Sequence, residues 1–134
     1  MRTTTTVVQW LVRITGLVQL VLGLLFWTGN QMQLIPLHML NGILIVLALW
    51  VMAGLAAAAR VNVRWVALAA VWGVVTIWLG MNQTTLLQGD LHWVVQVVHL
   101  LVGLGAIGQS ENLARRIKTR LGGAPAGAYV GGAV

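Results

Sequence analysis

Four stretches of about 20 predominantly apolar residues, the length that carries a helix across ~30 Å of hydrocarbon, constrain this chain more than any other feature. They lie near 9–28, 36–59, 65–85 and 91–109. The runs are too long and too continuous for a membrane barrel, whose strands alternate in segments of about ten residues. A soluble fold is excluded by composition, since 59% of the 134 residues are hydrophobic and only 7% charged. Ordinary soluble domains carry about 25% charge, and a core this small would leave large apolar patches uncovered. An all-α, integral membrane four-helix bundle is therefore expected.

Helix-ending residues separate the windows: Thr28, Gly29, Asn30 and Pro36 after the first, Arg60 to Arg64 after the second, Asn82 to Asp90 after the third. All eight Lys and Arg residues fall at the N-terminus (Arg2, Arg13), after the second span (Arg60, Arg64) or after the fourth (Arg115, Arg116, Lys118, Arg120). The positive-inside rule then puts both termini on the cytoplasmic side of an energy-transducing or plasma membrane. Arg13 lies within the first window, close enough to its inner end to snorkel as an anchor. Residues 1–120 form the bundle with a short basic extension, 110–120, at the inner surface, and the Gly- and Ala-rich 121–134 is expected to be a flexible tail. The opening segment has no small-residue cleavage site after its apolar run, so no cleaved signal peptide is expected.

The net charge of +6 divides among membrane-flanking positions, which points to anionic lipid and away from nucleic acid. With no Cys, and with Asp90 and Glu111 as the only acids, thiolate chemistry, covalent c-type haem and paired-carboxylate catalysis are all unfavoured.

Short strings recur between the halves. V-Q-L-V-L-G ends at Gly23 and V-T-I-W-L-G ends at Gly80, each late in the first helix of a hairpin. For the second helices two registrations compete: Pro36-Leu37-His38 with Asp90-Leu91-His92, or His38-x-x-x-Gly42 with His99-x-x-x-Gly103. Either way the bundle reads as two similar helical hairpins about a pseudo-two-fold axis.

Three histidines, all on the second and fourth spans, are the residues with chemistry to offer. On a helix His38, Gly42, Ile45 and Leu49 share one stripe, and His92, Gln96, His99 and Gly103 share another. Gly42 below His38 and Gly103 below His99 remove bulk where a flat ring system would lie. The combination points to a b-type haem held by two imidazoles from facing helices. His38 ranks first as ligand, His99 second by the Gly match, and His92 third although its depth suits His38 better. Zinc or copper needs all three to converge, which is hard for His92 and His99, separated by about 10 Å of helix rise. The bland alternatives are a headgroup-level polar role for His92 and a hydrogen bond from His99 to Gln19, Thr76 or Asn41. Asp90 is expected to cap the fourth span.

Arg13-x-Thr15-Gly16 in span one, Leu-Gly late in spans one and three, and His-x-x-x-Gly opening span two resemble one four-helix half of the heme A synthase family over about residues 10–118. The resemblance implies haem-ligating roles for His38 and for His99 or His92, near the outer side. Where the family's catalytic half has Glu three residues before the span-two His, and often Arg just after it, this chain has Ile35 and Met39, and the outer-loop Cys pair of many members is absent. Those departures argue against methyl oxidation of a haem and leave a haem-binding bundle.

The sequence thus predicts a small b-type membrane cytochrome for electron transfer, or an accessory subunit of a membrane redox complex, and no enzyme by itself is expected. Quinone is the suggested redox partner, with a homodimer or lateral contact with another membrane protein. A cofactor-free structural or assembly subunit, a heme A synthase-like enzyme and a chlorophyll-type pigment binder are the alternatives.

Overall fold

The computed structural model describes residues 1–122, which are all helix and turn. Helix α1 spans Arg2–Trp27, α2 Ile35–Ala58, α3 Val63–Asn82 and α4 His92–Gly122, with a 3-10 turn at Met32–Leu34 before α2. All four helices are long and apolar enough to cross a membrane.

The turns follow from their residues. Gly29 adopts φ +75° after α1, and Pro36 sits in the first turn of α2, where its missing N–H costs nothing. At the end of α2 the Val61 N–H reaches the Ala56 carbonyl at 2.9 Å and the Arg60 N–H reaches Ala57 at 3.0 Å. This closure forces Arg60 to a left-handed φ of 54°, a conformation usually left to Gly. Asn62 then caps α3, its Oδ1 accepting from the Arg64 N–H at 2.9 Å.

Helix α2 lies at the centre, packed against the other three, and it meets α4 across the bundle while α1 and α3 flank the pair. Its inward face, Ile45, Val46, Ala48, Leu49, Met52, Ala53 and Ala56, supplies much of the core. Ala69, Ala106 and Ala114 answer from α3 and α4, so small side chains set the close approach that helices in lipid need. Outward faces are apolar too: Leu17, Leu40 and Met81 are each 65–69% exposed, which water would penalise and acyl chains would not.

Two helices run further than the apolar windows. α1 starts at Arg2, not near residue 9, because Thr5, Val8 and Val12 form a buried stripe whose counterpart is the far end of α4, with Leu113, Ala114 and Ile117 wholly buried. That end of α4 is continuous helix through Leu121 and Gly122, the first two residues of the expected tail; the rest of 121–134 lies outside the described residues. A polar clasp joins the two helices there. Arg13 Nε and Nη2 donate to the Glu111 carboxylate at 2.7 and 3.0 Å, Gln9 Nε2 donates to it at 2.6 Å, and Lys118 Nζ donates to Gln9 Oε1 at 2.6 Å. Arg13 therefore does more than snorkel: it is held by a bidentate pair that also covers Trp10, 5.0 Å from the guanidinium carbon.

Glycines mark the tightest crossings. A Cβ at Gly73 on α3 would overlap the Trp50 indole, whose Nε1 donates to the Ala70 carbonyl at 3.1 Å, whereas a Cβ on Gly54 would meet nothing within 4 Å. Gly73→Ala is expected to lower stability by about 1–3 kcal/mol through overpacking. Gly54→Ala should be neutral or gain up to about 1 kcal/mol from helix propensity. Thermal unfolding in detergent, followed by circular dichroism, compares the two.

Candidate functional site

At the end of the bundle that holds the α1–α2 and α3–α4 turns, the first turn of α2 and the second turn of α4 bring two histidines face to face. The ring centroids of His38 and His99 are 6.2 Å apart, with the planes tilted by 50°. Both Nδ1 atoms are buried, and neither finds a hydrogen-bond partner among the described residues. A buried ring nitrogen without a partner costs free energy, so a symmetric pair of them is a feature to be explained.

Each ring lies against a glycine of the neighbouring helix. A Cβ at Gly23 on α1 would stand 3.7 Å from His38 Cε1, and one at Gly80 on α3 would stand 3.4 Å from His99 Cε1. Any larger side chain at these two positions would reach the imidazoles, which is the local reason for Leu-Gly late in α1 and α3. Phe26 adds an edge-on contact to His38, with centroids 5.2 Å apart and planes at 70°. The sequence reading had passed over Phe26; its place on the last turn of α1, one turn beyond Gly23, was the available signal.

The two glycines on the histidine stripes differ. Gly103 faces open space, with nothing within 4 Å of a Cβ built there. At Gly42 the place is taken by the Gln19 amide, whose Nε2 would be 3.1 Å from such a Cβ. Gln19 Oε1 in turn accepts from Asn41 Nδ2 at 2.7 Å, and the same nitrogen donates to the Thr15 carbonyl at 2.8 Å. Thr76 Oγ1 donates to the Trp72 carbonyl at 2.8 Å. Gln19, Asn41 and Thr76 thus satisfy one another or the backbone, and the hydrogen bond expected from one of them to His99 is not formed among the described residues.

His92 stands apart from the pair. It opens α4, and its Nδ1 lies 3.3 Å from the Leu86 carbonyl, a bond that ties the α3–α4 turn to the helix start when that nitrogen carries the proton. Asp90 is exposed beside it, and the His92 N–H bonds the Gly89 carbonyl at 3.0 Å. No group of three His, Cys, Asp or Glu side chains converges on one point among the described residues, so a zinc or copper site of the kind weighed above has no donor set there.

Comparison with protein families, with curated proteins and with solved structures finds no match to this chain.

The Asn41 bridge between α1 and α2 sits one turn from His38 and bears no direct role at the rings. Asn41→Val is expected to cost about 1 kcal/mol, the usual worth of an interhelical side-chain hydrogen bond in lipid. Adding Gln19→Leu should cost less than the sum of the single changes, because each residue is the other's partner. A double-mutant cycle on thermal stability reads this directly.

Proposed function

We propose that the protein is a small membrane cytochrome of the b type, holding one haem between α2 and α4 through His38 and His99. The observation that carries this reading is the facing pair itself. A haem would be held there through one ring nitrogen of His38 on α2 and one of His99 on α4. The pair here stands at 6.2 Å, with its buried nitrogens unpartnered among the described residues. Haem held by two imidazoles supplies a one-electron couple with no open coordination position.

The chain's own residues would do the rest. Gly23 and Gly80 fix where the rings sit, Phe26 braces one of them, and Gly103 leaves room one turn along α4. Lipid-facing Leu and Val exclude water around the pair and so tune the potential of what it holds. His92, engaged with the α3–α4 turn, is left to a structural role. The resemblance to one half of the heme A synthase family supports the haem assignment, while Ile35 and Met39 in place of its acid and base favour electron transfer over oxidation of the ring. Membrane quinol is the donor class suited to this setting, with a second copy or another membrane protein as lateral partner.

The repeat reading is also supported by contacts. Gly16 receives Ile107, 2.8 Å from a Cβ built on that glycine, and Gly73 receives Val46 at 3.0 Å. The glycine pairs 16/73 and 23/80 are 57 residues apart, and their partners 46/107 and 38/99 are 61 apart. A duplicated hairpin with four extra residues between the glycine and the histidine of the second copy is consistent with both spacings, and it favours the registration of His38 with His99.

A reduced-minus-oxidised spectrum of the detergent-purified protein tests the function. Sharp b-type bands are expected in the unaltered protein and in His92→Ala, and loss of them in His38→Ala and His99→Ala. A spectrum with tryptophan absorbance alone, after expression with ample haem, would leave only a packing bundle, and a red absorbance band would indicate a chlorophyll-type pigment instead. The inside placement of both termini is tested separately, because the chain has no Cys of its own. Asn62→Cys and Arg120→Cys should react with an impermeant maleimide only after the membrane is opened, and Gly29→Cys and Gln88→Cys before.

A further inference from the structure

The opposite end of the bundle carries a second feature, which does not depend on the haem reading. There the α2–α3 turn faces the last turns of α4 across a recess of about 270 Å3 lined by Val61, Asn62, Arg115, Arg116, Thr119 and Arg120. A neighbouring recess of about 300 Å3 shares Asn62 and continues along Arg64, Trp65 and Leu68. Among the described residues neither lining contains a carboxylate. The one acid at this end, Glu111, is already engaged by Arg13 and Gln9.

The recess is built, not merely charged. Arg116 lies with its guanidinium carbon 3.9 Å from the centre of the Trp65 ring, and its Nε donates to Asn112 Oδ1 at 3.1 Å. Those contacts hold the guanidinium against the wall with its two terminal nitrogens still to be satisfied. Arg115 and Arg120, both exposed, complete a set of three guanidinium groups. The capped start of α3 at Asn62 adds the positive end of a 20-residue helix to the same place. From there Trp65 and Leu68, one turn apart and the latter 40% exposed, lead away along α3 as an apolar strip.

The geometry points to a binding site for an anionic phospholipid, its phosphodiester held by Arg115, Arg116 and Arg120 and its glycerol and upper acyl chain lying along Trp65 and Leu68. The chemistry selects among headgroups. Three guanidinium groups suit a phosphate, whereas among the described residues the lining offers no carboxylate to the ammonium of a choline or ethanolamine head, and the Trp65 ring is already covered by Arg116. A soluble phosphate would use the arginines but would leave the apolar strip without a partner.

The test uses the full chain in detergent, titrated with short-chain phosphatidylglycerol or phosphatidylcholine, with bound lipid counted by native mass spectrometry. Phosphatidylglycerol is expected to bind at least about tenfold more tightly, and Arg116→Gln and Arg120→Gln each to weaken it by about fivefold. Arg60→Gln removes the same charge from an exposed position outside both recesses and should change binding less than about twofold. Equal weakening by Arg60→Gln would mean diffuse surface attraction and would overturn the site. Displacement of the lipid by millimolar inorganic phosphate would overturn the choice of ligand. Because Arg116 also braces Trp65, a loss of helical signal in its variant moves the test to Arg115→Gln with Arg120→Gln, whose side chains make no such contact; unchanged lipid selectivity in that pair sinks the proposal.

Discussion

In hydrocarbon a polar group has only other protein groups to bond with, and most of this structure follows from how that demand is met. The indoles of Trp50 and Trp72 donate to the carbonyls of Ala70 and Val102 at 3.1 and 3.0 Å, joining α2 to α3 and α3 to α4. Each indole lies where a neighbouring glycine, Gly73 or Gly105, has no side chain. Asn41 and Gln19 join α1 to α2, and the Arg13–Glu111 clasp joins α1 to α4. Against that background of satisfied groups, the Nδ1 atoms of His38 and His99, without partners among the described residues, are conspicuous, as are the buried Gln109 Oε1 and Ser110 Oγ.

Much of the fold was legible in the sequence because it rests on length and periodicity. Four apolar windows correspond to four helices, and Gly29, Pro36 and the Arg60 to Arg64 stretch marked turns between them, the Asn62 cap within that stretch being added by the structure. Helices α1 and α4 run past their apolar windows, α4 along the basic extension at 110–120, because hydropathy marks only what lipid can cover. It says nothing of helix that persists by packing on another helix, as Thr5 and Val8 do on the face presented by Ile117. The Arg13–Glu111 pair escaped for a related reason. Each residue read alone has an adequate explanation, and only the three-dimensional meeting of residues 98 apart joins them.

At the histidines, the stripe argument placed His38 and His99 on inward faces but could not choose between His92 and His99, because depth and motif disagreed. In the structure α4 begins seven residues before His99, whereas α2 begins three residues before His38. So α4 begins at His92 while the ring that meets His38 comes from the second turn. The room assigned to Gly42 went instead to Gln19, since a polar amide beside Asn41 gains a hydrogen bond that an empty slot in lipid would not supply.

The Arg13–Glu111 clasp also bears on how the protein is made. Synthesis runs from the N-terminus, so α1 enters the membrane while the carboxylate that will neutralise Arg13 is still 98 residues from being translated. Until α4 is made, Arg13 on the first helix lacks the carboxylate that pairs with it in the finished bundle. Completion of the last helix supplies that carboxylate and joins α1 to α4, so a nascent chain truncated before Glu111 would carry every turn of the first three helices and still lack the bond that closes the ring of four.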